Sequence, residues 1–401
     1  MPRKKWVPSQ WFLLSIVWVL SFAMYAPIFC IPPIENIIRE TLNTTHAQMG
    51  LLFSLPIIIL AAIAIPSGIL ADRIGIRKAA GTGAILVIIG SIARGFSESY
   101  EMLLVFTALF GIGYALIFPN LPKFISAWFP TEQVGLATGI YSSGMNTAIS
   151  LSLAITLPII FPLVGNFQGI LYVWSIPAII AAILWWLIVK EPIKINNKDK
   201  QVSIGQRSSD QVWKNKSLWL VTITLFIINF QFYTWAGWSP ALLSQKGASL
   251  DLAGVLTSLM GWVTIPTAFL VPWISYKFHT KKLFLLSSAI IMILMSVSTI
   301  YATIPFFWLI MILIGIALGG TFSLVLALPA EIVSTESVGK ASGMMLSIGY
   351  LGGLIGPWLA GYMLDISGTF NLTLIILIGL AVVWIAVVYF MVETNPRSNN
   401  I

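Results

Sequence analysis

The chain has 401 residues, 58% of them hydrophobic and only 9% charged, with a formal net charge of +8. A water-soluble domain carries about 25% charged residues, so these charges are too few to cover a water-exposed surface, and lipid must solvate most of the chain. A large soluble helical protein is excluded, and the basic balance needs no nucleic-acid partner.

Arg3, Lys4 and Lys5 precede a charge-free run from Trp6 to Ile34. A cleaved signal peptide has an apolar core of about 7–15 residues, so this longer run reads as a first membrane helix. About 20 apolar residues cross a bilayer as a helix. Runs of that kind predict helices at 11–34, 47–71, 79–97, 102–122, 134–163 and 169–189, then at 217–244, 252–276, 283–302, 305–329, 341–364 and 371–392. The third is short unless Arg94 snorkels toward the head groups. Backbone groups in lipid must bond internally, which makes the spans helical, and no period-2 alternation of a β-barrel occurs.

Charge sets the orientation. Loops on the side of the termini hold nineteen Lys and Arg residues, and the opposite loops hold three, Arg39, Arg94 and Lys246. Excess cations stay inside, so both termini are expected in the cytoplasm of a multi-pass protein of the inner or plasma membrane. The polar stretch 190–216 reads as a cytoplasmic linker between a first bundle, 1–189, and a second, 217–401. Thr131-Glu132-Gln133-Val134-Gly135-Leu136-Ala137-Thr138-Gly139 matches Thr335-Glu336-Ser337-Val338-Gly339-Lys340-Ala341-Ser342-Gly343 at an offset of 204 residues. The same offset pairs Gly111-Ile112 with Gly315-Ile316 and Lys78 with Lys282. The expected fold is therefore an all-α membrane protein of twelve transmembrane helices in two pseudo-symmetric six-helix halves. Such repeats are the architecture of secondary transporters, with substrate near the midplane between the halves.

Between helices two and three stands Gly68-Ile69-Leu70-Ala71-Asp72-Arg73-Ile74-Gly75-Ile76-Arg77-Lys78. Gly75 permits a tight turn, and Asp72 at a helix end can pair with a neighbouring cation. The string resembles the signature of the major facilitator superfamily, departing from it at Ile76. The equivalent loop, Ser275 to Lys282, keeps its cations and lacks the carboxylate. Asn120-Leu121-Pro122-Lys123 through Phe129-Pro130 is similar to the nitrate/cyanate-permease-like branch. The resemblance implies alternating access, a monomer, and a conformational latch formed by Gly68, Asp72, Arg73, Gly75, Arg77 and Lys78. It also implies that helices one, two, four, five, seven, eight, ten and eleven line the path. Thr107 stands where the fourth helix of the family usually carries an arginine, and helix five lacks the Gly-Pro pair of the family's drug antiporters.

No charged residue falls near the centre of those lining helices, which argues against an anion site. Glu35, at the outer end of helix one, is the one candidate for a coupling proton or cation. Amides and aromatics remain: Tyr25, Asn120, Tyr141, Asn146, Asn229, Gln231, Trp235 and Trp238 are the candidate substrate-binding residues, with Tyr114 beside them. Amides bond polar solutes, and aromatic faces hold organic cations by about 0.5–2 kcal/mol per ring. The expected function is transport of a small organic solute, neutral or cationic. A small-anion porter and a non-transporting receptor or sensor are the alternatives. Cys30, His46 and His279 form no metal constellation, no cofactor motif occurs, and no clustered nucleophile or acid-base pair marks an enzyme.

Overall fold

The computed structural model describes residues 9–191, 212–334, 337–391 and 393, without the side chains of 131 and 132. Arg3, Lys4, Lys5, most of the expected linker, and Thr335 and Glu336 of the repeated string lie outside the described residues. Twelve helices among the described residues are long and apolar enough to cross a membrane. The first half holds α1 Gln10–Leu42, α2 His46–Ile74, α3 Ile76–Arg94, α4 Tyr100–Trp128, α5 Gln133–Val164 and α6 Phe167–Ile188. The second holds α7 Lys216–Gln245, α8 Leu250–Phe278, α9 Lys282–Tyr301, α10 Ile304–Ile332, α11 Val338–Ser367 and α12 Asn371–Phe390. Every expected span is present, with ends shifted by at most eight residues, the largest shift being the end of α1 at Leu42.

Polar residues in the short links start the helices. Thr45 and Gln48 form a reciprocal capping box at α2, and Ser99, Asn166, Asn215 and Ser249 cap α4, α6, α7 and α8. Each cap accepts from a backbone N–H that has no partner within the helix. Prolines interrupt the spans where they approach the centre. Pro27 precedes the end of regular helix in α1 at Phe29, Pro119 sits in a 3-10 turn of α4 at Phe118–Asn120, and Pro158 sits in a π turn of α5 at Thr156–Ile160.

The halves repeat each other's bracing on the face that carries the termini. In the first, Glu191 accepts from the backbone N–H groups of Ile76 and Arg77 at the start of α3, at 2.8 and 3.1 Å. In the second, Glu393 accepts from Lys281 N–H, at 2.6 Å, at the start of α9. An anion at a helix N-terminus satisfies unpaired donors and complements the dipole. Gly75 has φ of +96°, and a β-carbon there would lie 2.6 Å from the Glu191 carboxylate, so the turn requires glycine. Asp72 pairs with Lys123 at 2.8 Å, tying α2 to α4. The second half keeps this brace with its signs exchanged: Lys281 pairs with Glu331 at the end of α10. The missing carboxylate of that loop is supplied from another helix.

At the opposite, far face the halves are in backbone contact. A β-carbon on Gly50 of α2 would lie 2.3 Å from Pro357 O of α11, and one on Gly254 of α8 would lie 2.4 Å from Leu153 O of α5. Toward the terminal face Gly135 of α5 and Gly339 and Gly343 of α11 have open space around them. At the far face the two halves therefore meet backbone to backbone, and on the terminal side of α5 a β-carbon on Gly139 would lie 2.3 Å from the Phe269 ring of α8.

The third span, Ile76–Arg94, is short, at 19 residues. Arg94 does not snorkel to the head groups. It is 1% exposed and points inward, with Nη1 donating to Pro27 O at 2.8 Å and the guanidinium 5.6 Å from the Phe110 ring centroid. Cys30 N–H bonds Ala26 O and Ile31 N–H bonds Ile28 O, so the chain turns away before any backbone donor reaches Pro27 O. The arginine bonds a carbonyl left without a backbone donor by the end of the helix, which the Cys30 thiol also reaches at 3.4 Å.

Candidate functional site

The site forms where α1, α4 and α5 of the first half meet α7 and α11 of the second. Tyr25 stands just before the Pro27 interruption of α1, and Tyr114 one turn before the 3-10 turn of α4. Tyr350 sits where the helix of α11 is broken between Gly349 and Leu351. With Tyr141 of α5 and Tyr233 of α7 they make five buried tyrosines. The hydroxyls of Tyr25 and Tyr114 are hydrogen-bonded at 3.0 Å. Tyr350 lies within electrostatic reach of Tyr25, Tyr114, Tyr141 and Tyr233, and Tyr25 within reach of Tyr233.

Rings join the halves. Phe29 stacks on Tyr25 at 6.0 Å between centroids and meets Tyr233 across the interface at 6.2 Å. Phe118 stacks on Tyr114 at 5.6 Å and meets Tyr350 edge-on at 6.2 Å. Such pairs contribute about 0.5–1.5 kcal/mol beyond their buried area. Each phenol is both donor and acceptor. None of the described hydrogen bonds or ion pairs of these five side chains involves an ionised group. The arrangement can bind a small solute through hydroxyls and ring faces, between the two halves.

Of the residues expected from sequence, Tyr25, Tyr114 and Tyr141 belong to this cluster. Asn120 is fully buried and ties α4 to α2 through Ser67 at 3.1 Å, while its Oδ1 has no partner. Asn146 is half-buried and donates to Ser142 O in its own helix at 3.3 Å. Asn229 donates to Gly349 O at 3.1 Å, beside the Tyr350 break. Gln231 donates to Leu377 O of α12 at 2.7 Å, away from the other half. Trp235 is buried with its indole N–H unpartnered. Trp238 donates to Pro357 O at 2.9 Å and meets the His46 ring at the far face. Tyr350 was not indicated by sequence. Its signal is its place in Gly349-Tyr350-Leu351-Gly352-Gly353, whose glycines bring α11 against α7.

Glu35 is 3% exposed at the far face. Its Oε1 is 2.9 Å from His46 Nδ1 and 3.6 Å from Arg39 Nε, and its Oε2 has no partner. It borders a recess of about 10 Å³ between Gly50 and Gly237, room for about one water. Of the signature residues, Gly68 O and Asp72 both receive Lys123 Nζ. Lys123 belongs to the same half, so in this conformation the pair braces α2 against α4 and does not bridge the halves. Arg77 donates to Trp186 O at 2.8 Å, and Arg73 and Lys78 are exposed.

Comparison with known proteins follows the same outline. The family described as the Major Facilitator Superfamily matches residues 17–286 and 238–401. The chain is 28% identical over 350 residues to the 2-nitroimidazole transporter of Escherichia coli, covering 85% of each. It is 22% identical over 360 residues to the cyanate transport protein CynX of the same organism, covering 89% of this chain and 91% of that one. Its fold is similar to a bacterial homologue of the human lysosomal transporter Spinster, solved inward-facing and occupied. The TM-score is 0.81 at 17% identity, with 95% and 96% of the chains covered.

Proposed function

The chain belongs to the major facilitator superfamily of transporters, and on that premise we propose that it moves a small organic solute across the membrane by alternating access. The tyrosine cluster between the halves is the observation that carries this reading. Its phenols would hydrogen-bond a polar solute while the rings of Phe29 and Phe118 cover its faces. An uncharged ring fits such a site, and so does an organic cation held by cation–π attraction. The similarity to a 2-nitroimidazole transporter supports the uncharged case. A small anion is the second reading, favoured by the similarity to CynX and by the hydroxyl donors.

On this reading Tyr25, Tyr114, Tyr141, Tyr233 and Tyr350 contact the solute, with Asn120 Oδ1 and Trp235 Nε1 free to join. Asn229, Gln231 and Trp238 hold the helices that present it. The bundles 1–189 and 217–401, joined by 190–216, rock about the site as a monomer. The excess of cations in the loops on the side of the termini supports a cytoplasmic position for that face. Gly68, Asp72, Arg73, Gly75, Arg77 and Lys78 form the conformational switch at that face, and Glu35 takes a coupling proton or cation.

A thermal-shift screen of the detergent-purified protein against azoles, quaternary amines and small anions tests the site, since ligands of the folded state raise its melting temperature. Stabilisation by azoles or amines that is lost in Tyr25→Phe/Tyr350→Phe is expected. Stabilisation by cyanate and nitrate alone would replace this reading with the second one.

A further inference from the structure

We propose that Arg94 is a specificity-determining residue that turns organic cations away from the tyrosine site. This rests on the transport reading above and narrows its substrate class to solutes without positive charge.

A guanidinium stays protonated in proteins, and a charge inside the membrane is costly enough that it usually serves function. Arg94 is 1% exposed, and among the described residues no carboxylate pairs with it. The nearest acids in sequence, Glu98 and Glu101, are exposed at the far face. Its partners are neutral: Pro27 O at 2.8 Å and the Phe110 ring at 5.6 Å. Neither cancels the charge, and Nε is left without an acceptor.

Those two partners are where the field reaches the site. Pro27 is two residues beyond Tyr25 on α1, and Phe110 is one turn before Tyr114 on α4. The hydrogen-bonded hydroxyls of Tyr25 and Tyr114 therefore lie roughly 10 Å from the guanidinium, by helix geometry. At about that separation and an effective dielectric near 20, a second unit positive charge is disfavoured on the order of tenfold. The ring faces attract a cation, and the arginine opposes it. An uncharged solute feels neither penalty and keeps the hydroxyls.

The test measures the field without needing a substrate. In a Cys30→Ser background, Tyr114→Cys places one thiol in the cluster, at a position roughly 10 Å from the guanidinium. Its reaction with cationic trimethylammonium and anionic sulfonate methanethiosulfonates of equal length is followed, each rate normalised to a free thiol. With Arg94 the anionic reagent is favoured. Arg94→Met is expected to cut the anion-to-cation ratio on the order of tenfold, and Arg94→Lys, which keeps the charge, to preserve most of it. A ratio that does not respond to Arg94→Met, or that falls equally in both variants, overturns the proposal. So does full protection of the thiol from both reagents, which would close the site to solutes. A charge-dependent ratio in a protein that binds no azole or amine would leave the selectivity in place and sink the organic-solute reading alone.

Discussion

The carboxylate of Asp365, at the far end of α11, accepts from the backbone N–H groups of His46 and Ala47 at 2.9 and 2.8 Å. One half thus caps the first turn of a helix that belongs to the other. At the 204-residue offset His46 maps onto Leu250 and Asp365 onto Phe161, and α8 is capped by its own Ser249. Of the two crossings related by the repeat, only the one between α2 and α11 carries this ionic closure. Capping and dipole terms at an exposed site amount to about 1 kcal/mol. Asp365→Asn should shift the population with an open far face by roughly fivefold, read by pulsed electron spin resonance between labels on the far ends of α2 and α11. An unchanged distance distribution would mean that backbone contact alone closes this face.

Two glycines separate closure from stability. Gly50 meets Pro357 O across the halves, whereas Gly352 meets Phe226 O inside the second half, where a β-carbon would lie at 2.0 Å. Overpacking costs about 1–3 kcal/mol. Gly50→Ala should relieve that cost by opening the far face, leaving the melting temperature close to wild type. Gly352→Ala has no such escape and should lower the melting temperature by several degrees. Equal losses of stability would show that the α2–α11 contact is part of the folded core and not a gate.

Asp72 and Lys123 are 68% and 39% exposed, and pairs of that kind contribute about 0–1 kcal/mol. Asp72→Asn should leave the melting temperature nearly unchanged while slowing uptake into liposomes, because the brace between α2 and α4 must hold as the inward face opens and closes. Uptake at the wild-type rate would remove Asp72 from the switch.

Removing one hydroxyl from the cluster should weaken solute binding without unfolding the protein. A hydrogen bond contributes about 0.5–1.5 kcal/mol, so Tyr25→Phe should reduce affinity roughly 2–10-fold in calorimetric titration. Gln231→Leu, on the α12 side of α7, should cost stability instead, since the bond from Gln231 to Leu377 O that ties α7 to α12 is lost. Identical effects of the two variants on affinity would place the solute elsewhere.

The spans were legible because each is a run of apolar residues of bilayer length, and hydropathy is a local property. The repeat was legible from residue identities at one offset. What sequence could not show depends on which helix faces which. The carboxylate missing from the loop at Lys281 comes from Glu331, fifty residues on, and Glu191 and Glu393 cap helices more than a hundred residues before them. Asn229 and Gln231 look like cavity amides in isolation, and the structure shows each giving an amide N–H to a backbone carbonyl of its own half, while Gln231 Oε1 keeps no partner. Arg94 stands near a predicted helix end, where snorkelling is the usual outcome. The Pro27 carbonyl, left without a backbone donor by the interruption of α1, gives it a reason to turn inward.

The most direct measurement of the central claim is uptake of labelled 2-nitroimidazole into liposomes containing the purified protein, wild type beside Tyr25→Phe/Tyr350→Phe. Saturable uptake that falls severalfold in the double variant is the predicted result. Uptake unaffected by the two tyrosines, or uptake of cyanate with none of the azole, would contradict the account.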